Sequence, residues 1–96
     1  MRVEILQEAE QDLIEGYYFY EQQSEDLGGY FLDSVLSKID SLEFYAGIHS
    51  EYFGYYRALA DNFPFAVYYK INNNTVQIYA VLDCRSNPAW IRGKLT

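Results

Sequence analysis

The chain has one cysteine, one histidine, one tryptophan and two prolines in 96 residues. The lone Cys84 excludes an internal disulfide. A thiol nucleophile would need a nearby base, and the only histidine, His49, falls in a loop; Cys84 reads as a strand residue. One His and one Cys leave too few ligands for a zinc site, and no zinc spacing occurs. Gly-x-Gly-x-x-Gly, the P-loop and the serine nucleophile elbow are all absent, and neither metal nor cofactor is expected. No apolar run approaches the ~18 residues of a membrane span. The opening Met-Arg-Val-Glu-Ile-Leu-Gln-Glu lacks the apolar core of a signal peptide, so no membrane partner and a cytoplasmic location are expected. Repeats and low-complexity segments are also missing.

Positive charge is scarce. Seven Lys and Arg face fourteen Asp and Glu, a net charge of −7. Residues 1–52 hold two basic and twelve acidic side chains, net −10, whereas residues 53–96 hold five basic and two acidic, net +3. The acidic half would repel nucleic acid; the C-terminal half could approach it. What the chain has in quantity is apolar and aromatic: 50% hydrophobic and 19% aromatic residues. That composition makes a globular chain of one domain, residues 1–96, with about 60–65% of its unfolded surface buried.

The most structured stretch runs from Phe63 to Arg85. Two Val-, Ile-, Tyr- and Phe-rich segments flank Asn72-Asn73-Asn74. Such side chains suit a pleated surface, and asparagine tolerates the positive φ of a two-residue hairpin turn. With Asn73-Asn74 as the turn, Tyr69 faces Ile78, Val67 faces Ala80 and Phe65 faces Leu82 on an apolar face. Lys70 with Gln77, Tyr68 with Tyr79 and Ala66 with Val81 form a mixed face, which by parity also carries Arg85.

Arg2 to Leu6 reads as a short strand. Gln7 to about Ser24 shows apolar residues at helical spacing (Ala9, Leu13, Tyr17, Tyr20), with acid crowding its first half. Gly28-Gly29 reads as a break, followed by a second helix from Tyr30 to about Tyr45 with Phe31, Val35, Ile39 and Leu42 inward. The run Glu8 to Glu15 reads as a solvated outer face. Ala46 to Gly54 reads as a loop, Tyr55 to Ala60 as a strand, and Pro88 as the first turn of a C-terminal helix. An Asp61-Asn62 turn would put Arg57 on the mixed face. The order β-α-α-β-β-β-α implies an α+β fold of two layers: an antiparallel sheet of three or four strands, covered on one face by a helical hairpin.

The candidate chemistry is therefore Arg57, Lys70 and Arg85 with Tyr68 and Tyr79. Cations can neutralise phosphate and tyrosines can stack on bases, as a ribonuclease without histidine would require. Equally, the tyrosines could be amphipathic filler and the cations could balance acidic helices.

In its motifs the chain resembles the RelE/ParE superfamily, the toxins of bacterial type II toxin–antitoxin systems. The resemblance spans nearly all of it: Ala9-x-x-Asp12-Leu13, Tyr18-x-Tyr20-Glu21, Leu27-Gly28-x-x-Phe31, Tyr56-Arg57, Phe63-Pro64-Phe65-x-Val67-Tyr68-Tyr69, Ala80-Val81-Leu82-Asp83-Cys84-Arg85 and Pro88-x-Trp90. It implies a growth-inhibiting toxin, associated with plasmid stabilisation and neutralised by a cognate antitoxin. RelE-like members cleave mRNA on the ribosome, for which Arg57 and Arg85 would be the catalytic residues here. ParE-like members poison DNA gyrase; Trp90 and Arg92 match their C-terminal segment, and Tyr68, Lys70 and Tyr79 would join them in target binding. A third possibility is a non-toxic member that only binds its antitoxin. The sequence pI of about 4.4 sits poorly with a ribosomal site walled by phosphate, which favours the ParE-like branch.

Overall fold

The structure, a computed structural model, describes residues 1–96. Its elements are β1 (Arg2–Ile5), α1 (Gln7–Glu21), α2 (Leu27–Tyr45), β2 (Glu51–Tyr52), β3 (Tyr55–Leu59), β4 (Phe65–Asn72), β5 (Thr75–Asp83) and α3 (Pro88–Leu95). The α+β class and the order of helices and strands agree with the sequence pattern. The sheet is larger than the pattern implied: five strands in the order β1-β5-β4-β3-β2, with β1 parallel to β5 and the other pairs antiparallel. The extra strand, β2, lies in the stretch that reads as a loop. It closes on β3 through Phe53 and Gly54, both at positive φ (55° and 86°). No helix is long and apolar enough to cross a membrane.

The helical hairpin lies on one sheet face. Gly28-Gly29 does not break the chain; both glycines are inside the first turn of α2. The reversal occurs just before, at Asp26 (φ 70°), and the Glu21 carboxylate accepts the N–H groups of Asp26 and Gly28 at 3.0 Å each. A side chain of α1 thus satisfies orphan donors at the start of α2. Gly28 is required for proximity, since a Cβ there would stand 2.6 Å from the Tyr17 carbonyl oxygen. The core under the hairpin joins Ala9, Leu13, Phe31, Val35, Ile39 and Leu42 to Val67, Tyr69, Val76, Ile78 and Val81 of the sheet. At one end, Tyr20, Phe31, Phe63 and Phe65 pack edge-on or tilted, with centroids 4.9–6.0 Å apart, a favourable aromatic geometry.

The β4–β5 hairpin turns at Asn73 and Asn74 (φ 50° and 59°), as a primed two-residue turn requires. Register follows the expected count from Asn72↔Thr75 to Tyr69↔Ile78 and then shifts, because Tyr68 pairs with Ala80 rather than Tyr79. Tyr79 is the extra residue of a β-bulge. One inserted residue reverses every later side chain. Val81 moves to the helical face, while Ala80 and Leu82 join Ala66 and Tyr68 on the opposite face. There α3 seals a second, smaller core with Ile91 and Leu95. Burying those two side chains contributes about 2 kcal/mol each, needed because an eight-residue helix is not stable alone. Asn87 starts α3 by accepting the Ala89 N–H at 2.8 Å.

Candidate functional site

Arg57 pairs with Tyr68 across β3 and β4. The connection is longer than an Asp61-Asn62 turn but shifts register by two residues, so Arg57 keeps its expected face. Its guanidinium carbon lies 3.8 Å from the Tyr52 ring centroid, and Nη2 donates to the Tyr52 hydroxyl at 3.2 Å. Lys70 Nζ stands over Tyr55 at 4.5 Å and Tyr79 at 5.6 Å, and those two rings meet edge-on at 5.1 Å. The Tyr55 hydroxyl donates to the Leu95 carbonyl at 2.6 Å, tying the sheet to the end of α3. Each cation thus rests on tyrosine, an arrangement worth about 0.5–1 kcal/mol at an exposed site.

Two of the expected residues fall elsewhere. Tyr68 is 1% exposed beneath α3, so its ring supports the face and offers no stacking surface. Burial raises its pKa, with Arg57 opposing through a hydrogen bond and its charge. Arg85 does not share the mixed face with Arg57 and Lys70. The bulge at Tyr79 reverses its parity and sets it near Tyr20 of α1, which feels its charge. Its Nε and Nη2 donate to the two Asp83 carboxylate oxygens at 3.1 and 2.8 Å. That fork holds the Asp83 carboxyl below its ordinary value, the hydrogen bond from Arg85 being the main cause. On α3, Ile91 and Leu95 face inward, Trp90 is 49% exposed and Arg92 is exposed. Two residues apart, Trp90 and Arg92 project about 200° from one another around the helix. Trp90 flanks a recess of ≈ 200 Å³ with Phe19, Asp12 and Lys94, whereas Arg92 lies beside Phe53.

Sequence reasoning missed Asp12 and His49. Asp12 lies within the acidic run that reads as a solvated face, yet its Oδ2 accepts the Val81 N–H of β5 at 3.0 Å. Burial raises its pKa, outweighing the Val81 hydrogen bond and the Lys94 charge, which lower it. The motif Ala9-x-x-Asp12-Leu13 held the signal: three residues after Ala9, Asp12 lies on the flank of the buried stripe, where it reaches β5. His49 lies in the loop before β2, 2.5 Å from the Tyr69 hydroxyl through Nδ1.

The architecture is a helical hairpin on one face of a mixed five-stranded sheet, with a C-terminal helix on the other face. No family model and no curated protein sequence matches the chain. Among solved structures it is similar to a chain described as the chromosomal ParDE TA (toxin–antitoxin) system from P. aeruginosa. The TM-score is 0.77 at 19% identity, covering 84% of this chain and 92% of that one. At that identity the likeness is one of fold.

Proposed function

We propose that the chain is the toxin of a toxin–antitoxin pair and that it acts by binding a protein target, DNA gyrase, rather than by cutting RNA. The fold likeness to a ParDE TA system chain supports the class. The observation that favours binding over cleavage is the dispersal of the nuclease candidates. Arg57 is held on Tyr52, Arg85 is forked onto Asp83 beside α1, and Tyr68 is sealed under α3. Phosphoryl-transfer chemistry without a metal needs such groups converging on one reacting phosphate. On the α3 side of the sheet, the groups placed to meet a protein target are Lys70 and Tyr79 and, on α3 itself, Trp90 and Arg92.

The second member of the pair would be a cognate antitoxin. The acidic outer surface of the hairpin suits a basic antitoxin segment. Charge reversal at Glu8 and Glu15 should weaken that complex; unchanged affinity would sink the helix-surface version. Asp12 is not used in that test because it holds β5.

The target is tested by pulse-labelling new DNA and new protein minutes after induction of this chain alone in a bacterial host. DNA synthesis is expected to fall first with translation intact, and Trp90→Ala with Arg92→Ala should relieve the effect in a protein that still folds. If protein synthesis collapses first, and Arg57→Ala with Arg85→Ala abolishes it, the ribosome-dependent nuclease replaces the proposal. Normal growth would leave only antitoxin binding.

A further inference from the structure

The single histidine sits in a recess that the toxin reading does not use. Past Tyr56 the outer edge of β3, the side away from β4, has no strand partner, and a recess of ≈ 400 Å³ opens beside it. Lys38, His49, Ser50, Tyr52 and Arg57 line it. Two outward apolar side chains, Ile48 (73% exposed) and Leu59 (51% exposed), complete its walls.

The protonation of His49 follows from its buried partner. Tyr69 is 0% exposed, and its hydroxyl oxygen accepts the Gly47 N–H at 2.9 Å. The hydroxyl proton of a buried tyrosine needs an acceptor, and His49 Nδ1 stands at 2.5 Å. With Nδ1 accepting, the ring proton is on Nε2, the only ring nitrogen left for a ligand. Burial and the Lys38 charge both lower the His49 pKa, so the ring is a neutral donor near pH 7. The two cations differ in readiness. Arg57 is already oriented by the Tyr52 ring and hydroxyl. Lys38 Nζ lies 4.0 Å from Asp61, whose side chain is 78% exposed. Such a screened pair is weak and yields to a better anion.

We infer that this recess binds the phosphoryl group of a nucleotide, with Lys38 and Arg57 neutralising its charge and His49 Nε2–H donating to a phosphate oxygen. A terminal phosphate presents three acceptor oxygens, which matches a site with two cations, an imidazole N–H and the hydroxyls of Ser50 and Tyr52. Ile48 and Leu59 give the attached nucleoside an apolar surface. The site rests on this recess alone and stands or falls independently of the toxin reading.

The test is an NMR titration of the isotope-labelled full chain, in low salt, with AMP, adenosine and a short 5′-phosphorylated oligoribonucleotide. AMP is expected to give saturable shifts at residues 48–52 and 57 and to move the His49 Nε2 resonance, while adenosine does not. Lys38→Gln and Arg57→Gln should each weaken binding about tenfold, the loss of one charged hydrogen bond. Each variant's own spectrum reports whether it folds. Tighter binding of the oligoribonucleotide assigns the phosphate to a strand; equal binding assigns it to a free nucleotide. No saturable shift at millimolar AMP in the unaltered chain overturns the inference. Adenosine binding as well as AMP, or unchanged binding in both folded variants, does the same.

Discussion

At one side of the sheet, β1 pairs with β5 over Thr75–Ile78 and stops; at the other, β2 pairs with β3 over Tyr55 and Tyr56 and stops. Both inner strands run on paired only to β4, and their unpaired outer edges leave backbone donors and acceptors to be satisfied. The β5 edge is closed by a side chain, the Asp12 carboxylate on the Val81 N–H. The β3 edge is closed by a loop, whose Ser50 carbonyl accepts the Arg57 N–H at 2.9 Å. The consequences are opposite in charge. Beside β5, Asp12 and Glu15 border two recesses of ≈ 200 and ≈ 240 Å³ in which Lys94 is the cation. Beside β3, Lys38 and Arg57 border the third with a neutral histidine. One backbone problem solved in two ways leaves one edge fit for cationic partners and the other for anionic ones.

The largest expected effect breaks the acidic side at its root. Gly28→Ala would place a Cβ 2.6 Å from the Tyr17 carbonyl oxygen, so α1 and α2 must part and α1 must lift from β5. A loss of about 3 kcal/mol is expected in urea unfolding; an unshifted midpoint would mean that the hairpin does not hold α1 against β5.

Asp12→Ala leaves the Val81 N–H without its acceptor and should cost about 2 kcal/mol. Asp12→Asn keeps an acceptor and removes only the charge, which sharpens the test through pH. The Asp12 carboxyl is raised above its ordinary 3.8 in the fold. It therefore keeps its proton to higher pH when folded than when unfolded. Its contribution is most favourable below 3.8 and declines as pH rises through the raised value. The stability of Asp12→Asn relative to the unaltered chain should accordingly increase with pH across that window. The reverse slope would show that the Val81 hydrogen bond dominates over burial. Asp83 behaves oppositely: held low by Arg85, it contributes above 3.8 and loses that contribution as pH falls.

On the basic side, Tyr69→Phe removes the hydroxyl shared by Gly47 and His49 and should cost about 1 kcal/mol. The nitrogen chemical shifts of His49 should change from a single Nε2–H tautomer to a mixture. Retention of one tautomer in Tyr69→Phe would refute the assigned donor. The smallest effect is Arg85→Ala, expected to leave the urea midpoint essentially unmoved because the arginine is an exposed, solvent-screened surface partner.

Much of this was legible in the chain. Asn73-Asn74 implied the hairpin, Ala9, Leu13, Phe31, Val35, Ile39 and Leu42 implied the helical cover, and Pro88 implied the last helix. These are signals of local periodicity and turn chemistry, carried by residues within a few positions of one another. The register also read correctly from Asn72↔Thr75 to Tyr69↔Ile78. It failed at Tyr79 because a bulge adds a residue without changing the apolar, aromatic character of the strand, and from there the parity of Ala80 through Arg85 inverted.

What the sequence by itself determined, then, is the α+β class, the order of elements, the turn residues and the inward stripes, since each depends on short-range spacing. The tertiary structure alone decided which face received Arg85, that α3 would seal Tyr68, that Asp12 would serve β5 and that Tyr69 would fix the proton of His49. Those four outcomes join residues 20 to 69 positions apart in the chain. Only the packed core brings such residues within hydrogen-bonding or van der Waals reach, and no local pattern encodes the meeting.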